Sequence, residues 1–310
     1  MKIGIIGAGA VGAACAMAIL MRGCASEIIL VDRNNDRSKG LSTDMGYGAP
    51  LSSVTKITDG DFSNLAGAAL IMITVGVNEK TGGATDRSDP LGRLRLLDKN
   101  AAVYRDVIPQ LVAVAPDAVL LVVTDPPDPL AYLARRIAGH DRVLSTGTLL
   151  DSMRFRFHLG RRLNLASTQI EAQVLGEHGT SQVFHWSGAR VGGVPIADAL
   201  VQCDLKQSDI RSSIENEVRF ANISIIERIG ASQYGIGMVC ARIAEIVLRD
   251  ERAVVPLGAY SSSYEITLSL PSIIGRRGCI QILEPPLSDE EQVGLRKSVE
   301  ALRQAQDRIQ

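Results

Sequence analysis

Residues 1–32 constrain the fold more than any other stretch of the chain. Ile3–Ile6 is a short apolar run, and "GAGAVG" follows it directly, placing glycines at 7, 9 and 12. Val11–Met21 is small and apolar enough for a buried helix, and Glu27–Val31 is a second apolar run that ends on Asp32. Strand, glycine turn, helix and strand at this spacing make a βαβ unit, which requires a parallel sheet. Gly7 permits a tight turn, Gly9 lets backbone approach an anionic ligand, and Gly12 allows close packing of the helix. The helix N-terminus then offers unpaired N–H groups to a pyrophosphate.

Asp32 lies at the end of the second strand, about 20 residues after the first glycine, where a carboxylate binds a ribose diol. It would repel a 2′-phosphate, which favours NAD over NADP, although Arg33 and Arg37 stand close by. The competing interpretation is a packing turn followed by a capping acid. The uncharged run Ile3–Met21 could also be taken for a signal sequence or a membrane helix. Gly4, Gly7, Gly9 and Gly12, together with the strand at its start, argue against that.

Further along, continuous apolar runs alternate with helical segments. The expected order is helix Asp36–Tyr47, strand Val54–Ile57, strand Leu70–Val75, helix Leu91–Val114 and strand Ala118–Val123. Continuous rather than alternating runs belong to strands buried on both faces, so residues 1–145 are expected to form a doubly wound parallel-sheet Rossmann domain. Residues 146–310 mix element types and imply an α+β substrate domain. They contain helix Leu149–Leu163, strands Gln169–Leu175 and Val183–Trp186, and long helices through Ser208–Asp250. Strands Ala253–Gly258 and Tyr264–Leu270, one near Ser272–Ile274, and a terminal helix Ser288–Gln310 complete it. The polar, glycine-bearing stretch 76–92 has the length of a functional lid or a disordered segment.

The charge balance narrows the partners. With 33 basic and 34 acidic residues the net charge is −1, which leaves no field for nucleic acid or an anionic membrane. Cys15, Cys24, Cys203, Cys240 and Cys279 show no CxxC pair and no metal-type spacing, so they are expected to be reduced core thiols of a cytoplasmic protein. No metal is expected.

Three stretches carry chemistry. In "LGEHGTS" (175–181) His178 stands at a strand end flanked by glycine, and its side chain titrates near neutrality. In "LLDSMRFRFHLG" (149–160) Asp151 and Arg154 are three apart, hence on one helix face. An acid can orient an imidazole, and an arginine can grip a carboxylate with two parallel hydrogen bonds. In "VVTDPPDP" (122–129) the prolines stop a buried strand, leaving Asp125 at the edge of whatever cavity lies beyond.

Together with "GRLRLLDKN" (92–100), "TGTLLDSMRFRFHLG" (146–160) and "ERIGASQYGIG" (227–237), these motifs resemble the NAD-dependent L-lactate/malate dehydrogenase family, nearer its lactate branch. The resemblance implies hydride transfer between NADH and a small 2-oxo acid, in a homodimer or homotetramer. It makes His178 the general acid, Asp151 its orienting partner, Arg154 the carboxylate anchor and Arg93 the group that polarises the carbonyl, with Arg95 competing for that last role. Gly7, Gly9, Val11, Gly12, Asp32, Gly76 and Thr146 would bind the cofactor, and Ser232 would line the substrate pocket.

The chain also departs from the family pattern. Thr-Asn-Pro-Val-Asp is replaced by "TDPPD", so Asp125 stands where an asparagine donates a hydrogen bond toward the reacting oxygen. A carboxylate there weakens catalysis unless it is protonated or paired. The lid is longer than usual, and Ser232 replaces a bulkier threonine, which together suggest a roomier pocket. Arg87, six residues before Arg93, falls where arginine marks malate dehydrogenases, so a dicarboxylate substrate is an alternative; an NAD-binding sensor with weakened catalysis is another. Thr180 replaces a common acid. Arg156 matches a sugar-bisphosphate site whose histidine is here Glu171, so no activation by fructose 1,6-bisphosphate is expected.

Overall fold

The structure is a computed structural model and describes residues 1–52, 55–77 and 94–309. The first half runs β1 (Lys2–Ile6), α1 (Ala10–Arg22), β2 (Glu27–Val31), α2 (Asn35–Gly48), β3 (Lys56–Asp59) and β4 (Ala68–Ile73). It continues through α3 (Leu94–Val114), β5 (Val119–Val122), α4 (Pro127–Ala138) and β6 (Val143–Ser145). These six strands are parallel in the order β3-β2-β1-β4-β5-β6. Successive residues of each strand feed opposite cores. Ile3, Ile5, Ile28, Leu30, Leu70 and Met72 pack on one face, and Ile6, Ile29, Val31, Ile71 and Ile73 on the other. Helices cover both faces, which is why the strand sequences show no polar alternation.

The helix α4 and the strand β6 were not foreseen from the sequence. The prolines that end β5 also start α4, since Pro127 and Pro129 occupy its first turn, where the missing N–H has no intrahelical acceptor to lose. Leu130, Ala131 and Ala134 bury the helix against the sheet, and Gly139 closes it in the left-handed conformation. The expected strand Val54–Ile57 instead spans Lys56–Asp59. Helix α1 is not wholly buried, because Met17 and Met21 are exposed. Helix α3 is described from Leu94, so its expected first residues, 91–93, lie outside the described residues.

The second half contains α5 (Leu149–Leu163), β7 (Ile170–Glu171), β8 (Val174–Leu175), β9 (Val183–Phe184), β10 (Arg190–Val191) and β11 (Val194–Pro195). Helices α6 (Ile196–Gln202), α7 (Gln207–Arg219), α8 (Ala221–Ile229) and α9 (Tyr234–Arg249) follow. Strands β12 (Ala253–Ser261), β13 (Ile266–Gly275) and β14 (Gly278–Ile282) precede the last helix, α10 (Asp289–Asp307). The strand expected over Gln169–Leu175 is two short strands, and the one near Ser272–Ile274 is the end of β13 rather than a separate element. Strands β12 to β14 form an antiparallel meander joined edge-on to β6, extending the parallel sheet to nine strands. Ser288 caps α10, accepting from Glu291 N–H while Glu291 accepts from Ser288 N–H. Helix α9 packs on α1 in the core beneath the first half of the sheet. All five cysteines are free thiols, but only Cys15, Cys24 and Cys240 are buried; Cys203 is exposed and Cys279 intermediate, correcting the expectation of core thiols throughout.

Candidate active site

The carboxyl ends of β1, β2, β4, β5 and β6 converge on one edge of the sheet. The strand order reverses between β1 and β4, and in open α/β sheets that crevice is where ligands bind. Gly7 turns the chain there with φ +101°, a conformation that side-chain-bearing residues rarely adopt. Thr74 braces the turn by donating from Oγ1 to the Ile6 and Gly7 carbonyls at 3.0 and 2.8 Å. A Cβ on Gly12 would lie 1.9 Å from the Gly7 carbonyl oxygen, so α1 can sit this close only with glycine. A Cβ on Gly9 would meet nothing within 4 Å, and no side chain caps α1 at this residue. Open space in front of helix N–H groups without a side-chain cap fits a dinucleotide pyrophosphate.

Asp32 is held at the end of β2 by the N–H groups of Ala8 and Asn34, at 2.6 and 2.9 Å. Arg37, one of the two cations able to favour a 2′-phosphate, donates its Nε to the Ala8 carbonyl at 2.5 Å. The acid therefore governs this end of the crevice, as the choice of NAD requires.

Beside the turn lies a cleft open to solvent. Its wall brings together seven of the residues singled out from sequence: Val11, Gly76, Asp125, Thr146, Arg154, His178 and Ser232. Gly7, Gly9 and Gly12 form the adjoining turn, Asp32 ends the neighbouring strand, and Asp151 stands behind His178. Arg87 and Arg93 lie outside the described residues, as does the expected lid beyond Val77.

The chemistry centres on α5. Asp151 and Arg154 share one face, and the Asp151 side chain is only 2% exposed. Its Oδ2 lies 2.5 Å from His178 Nδ1, while its Oδ1 accepts from Arg154 Nη1 at 3.0 Å. A buried carboxylate facing an imidazole fixes the orientation of the ring. Arg154 is thus tied to Asp151 as well as facing the cleft. This pins one end of the guanidinium at the cleft. Asp125 reaches the cleft as expected, with both carboxylate oxygens shielded from solvent. Its carbonyl accepts from Asn100 Nδ2 at 2.8 Å, and Asn100 Oδ1 in turn accepts from Val77 N–H at 2.7 Å. Asn100 therefore ties the end of β5 to the start of the 76–92 segment.

Two site residues escaped the sequence analysis. Asp128 is buried in the first turn of α4. It accepts from His178 N–H at 2.8 Å and from Ser145 Oγ at 2.5 Å, and so fixes the backbone that carries the histidine. The second acid of "DPPDP" was the available signal, but nothing local reveals that its partner is 50 residues away. Asn222, on α8, also lines the cleft.

Burial pushes the Asp128 carboxyl up to about 6, against the opposing effect of its two hydrogen-bond donors. An unfolded chain ionises it near pH 4. Between these values the folded chain retains a proton that the unfolded chain has lost, so the stability contributed at low pH disappears as pH rises through about 6. Asp128→Asn removes this penalty. Its stability relative to the native chain is expected to increase by about 2–3 kcal/mol from about pH 4 to about pH 7. Urea unfolding at the two pH values checks this, and a constant difference would contradict it.

Arg156 is half-buried and donates its Nε to the Ala172 carbonyl at 2.9 Å; burial lowers its pKa, and the neighbouring Glu171 opposes that shift. Among the described residues there is no cluster of three or more metal-ligating side chains, and no helix is long and apolar enough to cross a membrane.

Comparisons with known proteins agree with this geometry. Residues 1–145 match the lactate/malate dehydrogenase NAD binding domain, and residues 148–310 match the lactate/malate dehydrogenase alpha/beta C-terminal domain. The chain is 42% identical over 304 residues to an L-lactate dehydrogenase of Deinococcus radiodurans, covering 98% of this chain and 97% of that protein. It is 40% identical to one of Chloroherpeton thalassium, covering 98% of each. The crystal structure of a minor L-lactate dehydrogenase from Enterococcus mundtii, in a ligands-bound form, superposes with a TM-score of 0.92 at 31% identity. That match covers 100% of this chain and 98% of the other.

Proposed function

We propose that this chain, which belongs to the lactate/malate dehydrogenase family, is an NAD-dependent L-2-hydroxy acid dehydrogenase of the L-lactate dehydrogenase type. The observation that carries this reading is His178 and Arg154, both bonded to Asp151, on the wall of the cleft beside the glycine turn. When bound, NADH supplies the hydride. Arg154 holds the carboxylate of the 2-oxo acid and so presents its carbonyl at the cleft wall. His178, with Nδ1 engaged by Asp151, delivers a proton from Nε2 to the carbonyl oxygen, and the 2-oxo acid becomes a 2-hydroxy acid. Asp151 stabilises the imidazolium that this step consumes and re-forms in the reverse direction. Asp128 holds the His178 backbone in place. Arg93 would polarise the carbonyl, and Val11, Gly76 and Thr146 would pack against the cofactor.

Pyruvate supplied with NADH should give L-lactate in step with NADH consumed. Formation of the D isomer would contradict the assigned arrangement.

Asp125 is the residue that sets this site apart. An ionised carboxylate cannot donate to the oxygen on which negative charge develops, and it repels that charge. Asp125→Asn is therefore expected to raise kcat for pyruvate on the order of a hundredfold, the effect of restoring one such donor. Steady-state NADH oxidation at saturating pyruvate measures it; unchanged or lower turnover would show that Asp125 does not limit the reaction.

The relatives named L-lactate dehydrogenase support a monocarboxylate over the dicarboxylate that Arg87 alone would suggest. A homodimer or homotetramer in the cytoplasm completes the reading. Exposed Met17 and Met21 on α1, beside exposed Tyr234 and Met238 on α9, support self-association, because these two helices pack together and present the apolar side chains outward. Glu171 beside Arg156 supports independence from fructose 1,6-bisphosphate.

A further inference from the structure

We propose that Asn222 determines substrate specificity, selecting 2-oxo acids whose side chain carries a neutral hydrogen-bonding group over hydrocarbon side chains of the same shape. The proposal rests on the dehydrogenase reading above and adds the class of side chain the pocket takes.

Asn222 is the second residue of α8 and is 7% exposed. It forms part of the cleft wall together with His178, Arg154 and Ser232. Its Oδ1 is shielded from solvent, and among the described residues it has no hydrogen-bond partner. Leaving a buried amide oxygen unpaired is destabilising. Gln182 Oε1 is likewise buried and unpartnered, but Gln182 is not part of the cleft wall. The wall it shares is mixed, with Val11, Val123, Leu150 and Ile236 among its apolar residues. A shielded amide oxygen on the cleft wall with no partner among the described residues is accounted for if the ligand supplies that partner.

The chemistry of that ligand follows from the amide itself. A carboxamide can turn either its oxygen or its nitrogen toward a ligand, so it can accept from or donate to a hydroxyl or another amide. It carries no charge with which to neutralise a second carboxylate. Ser232, small for its position, leaves room for a side chain larger than methyl. A site built to hydrogen-bond a substrate group rejects the hydrocarbon analogue strongly, because binding the analogue leaves the buried partner unpaired.

Two isosteric pairs test the proposal with the whole enzyme and NADH. They are 2-oxosuccinamate against 4-methyl-2-oxopentanoate, and hydroxypyruvate against 2-oxobutyrate. The native enzyme is expected to favour the polar member of at least one pair by about tenfold or more in kcat/KM. In Asn222→Ala that ratio should fall to near one, and Asn222→Ser, which keeps a neutral hydrogen-bonding group, should retain part of it. The proposal is overturned if the native enzyme favours the hydrocarbon member of both pairs, or if Asn222→Ala keeps the native ratios. Oxidation of NADH with pyruvate by the native enzyme separates the two readings. Turnover of pyruvate without any polar preference removes only the role of Asn222, whereas silence on every 2-oxo acid removes the dehydrogenase reading and the specificity proposal with it.

Discussion

His178→Gln lowers kcat/KM for 2-oxo acid reduction by roughly 10²–10⁴-fold, the contribution of a positioned general acid. The loss should fall mainly on kcat, because the proton moves only as the carbonyl is reduced, and NADH binding should be little changed. Glutamine keeps a hydrogen-bonding side chain of similar reach, but it has no proton to give at neutral pH. The structure makes the effect specific to the ring. Asp128 holds the histidine by its backbone N–H, so the substitution leaves that anchor in place while removing the contact between Nδ1 and Asp151. Stopped-flow hydride transfer together with NADH fluorescence titration separates the two effects. Near-native turnover in His178→Gln would show that another group supplies the proton.

Arg154→Leu is expected to cut kcat/KM by about 10²–10⁴-fold, with a large rise in KM. Each hydrogen bond to a charged group contributes about 1.5–3 kcal/mol, and a bidentate grip on the substrate carboxylate loses two of them. Arg154→Lys should recover only part of the loss, since a point charge cannot reproduce the planar fork. Both variants also weaken the charge balance around buried Asp151, which accepts from Arg154 at 3.0 Å. Thermal unfolding of each variant therefore accompanies the kinetics. If Arg154→Leu lowered only the melting temperature and left KM unchanged, the residue would be a structural partner of Asp151 rather than the carboxylate anchor.

The parts of the site that could be read from the sequence are those whose chemistry is local. The glycine turn is one, because Gly7, Gly9 and Gly12 act within a single strand–helix junction. The Asp151–Arg154 pair is another, because helical spacing alone puts both on one face of α5. The continuous apolar strands declared a sheet covered on both faces, and the two cores on either side of β1, β2 and β4 are its consequence. Helix α4 was hidden because proline signals the end of a strand and the beginning of a helix with equal force. Asp128 and Asn222 were hidden for another reason. Their significance lies in partners or surroundings distant in sequence, His178 in one case and the cleft wall in the other. The joining of β12 to β6 is equally non-local, resting on the single pairing of Gly258 with Ser145.

The most direct measurement is NADH oxidation by the native enzyme with pyruvate, oxaloacetate, 4-methyl-2-oxopentanoate and phenylpyruvate, followed by absorbance, with His178→Gln as the control. Oxidation with at least one monocarboxylic 2-oxo acid, lost in His178→Gln, is the expected result. NADH that binds but is oxidised with none of the four would contradict the assigned reaction and leave a dinucleotide-binding protein whose Asp125 marks a silenced site.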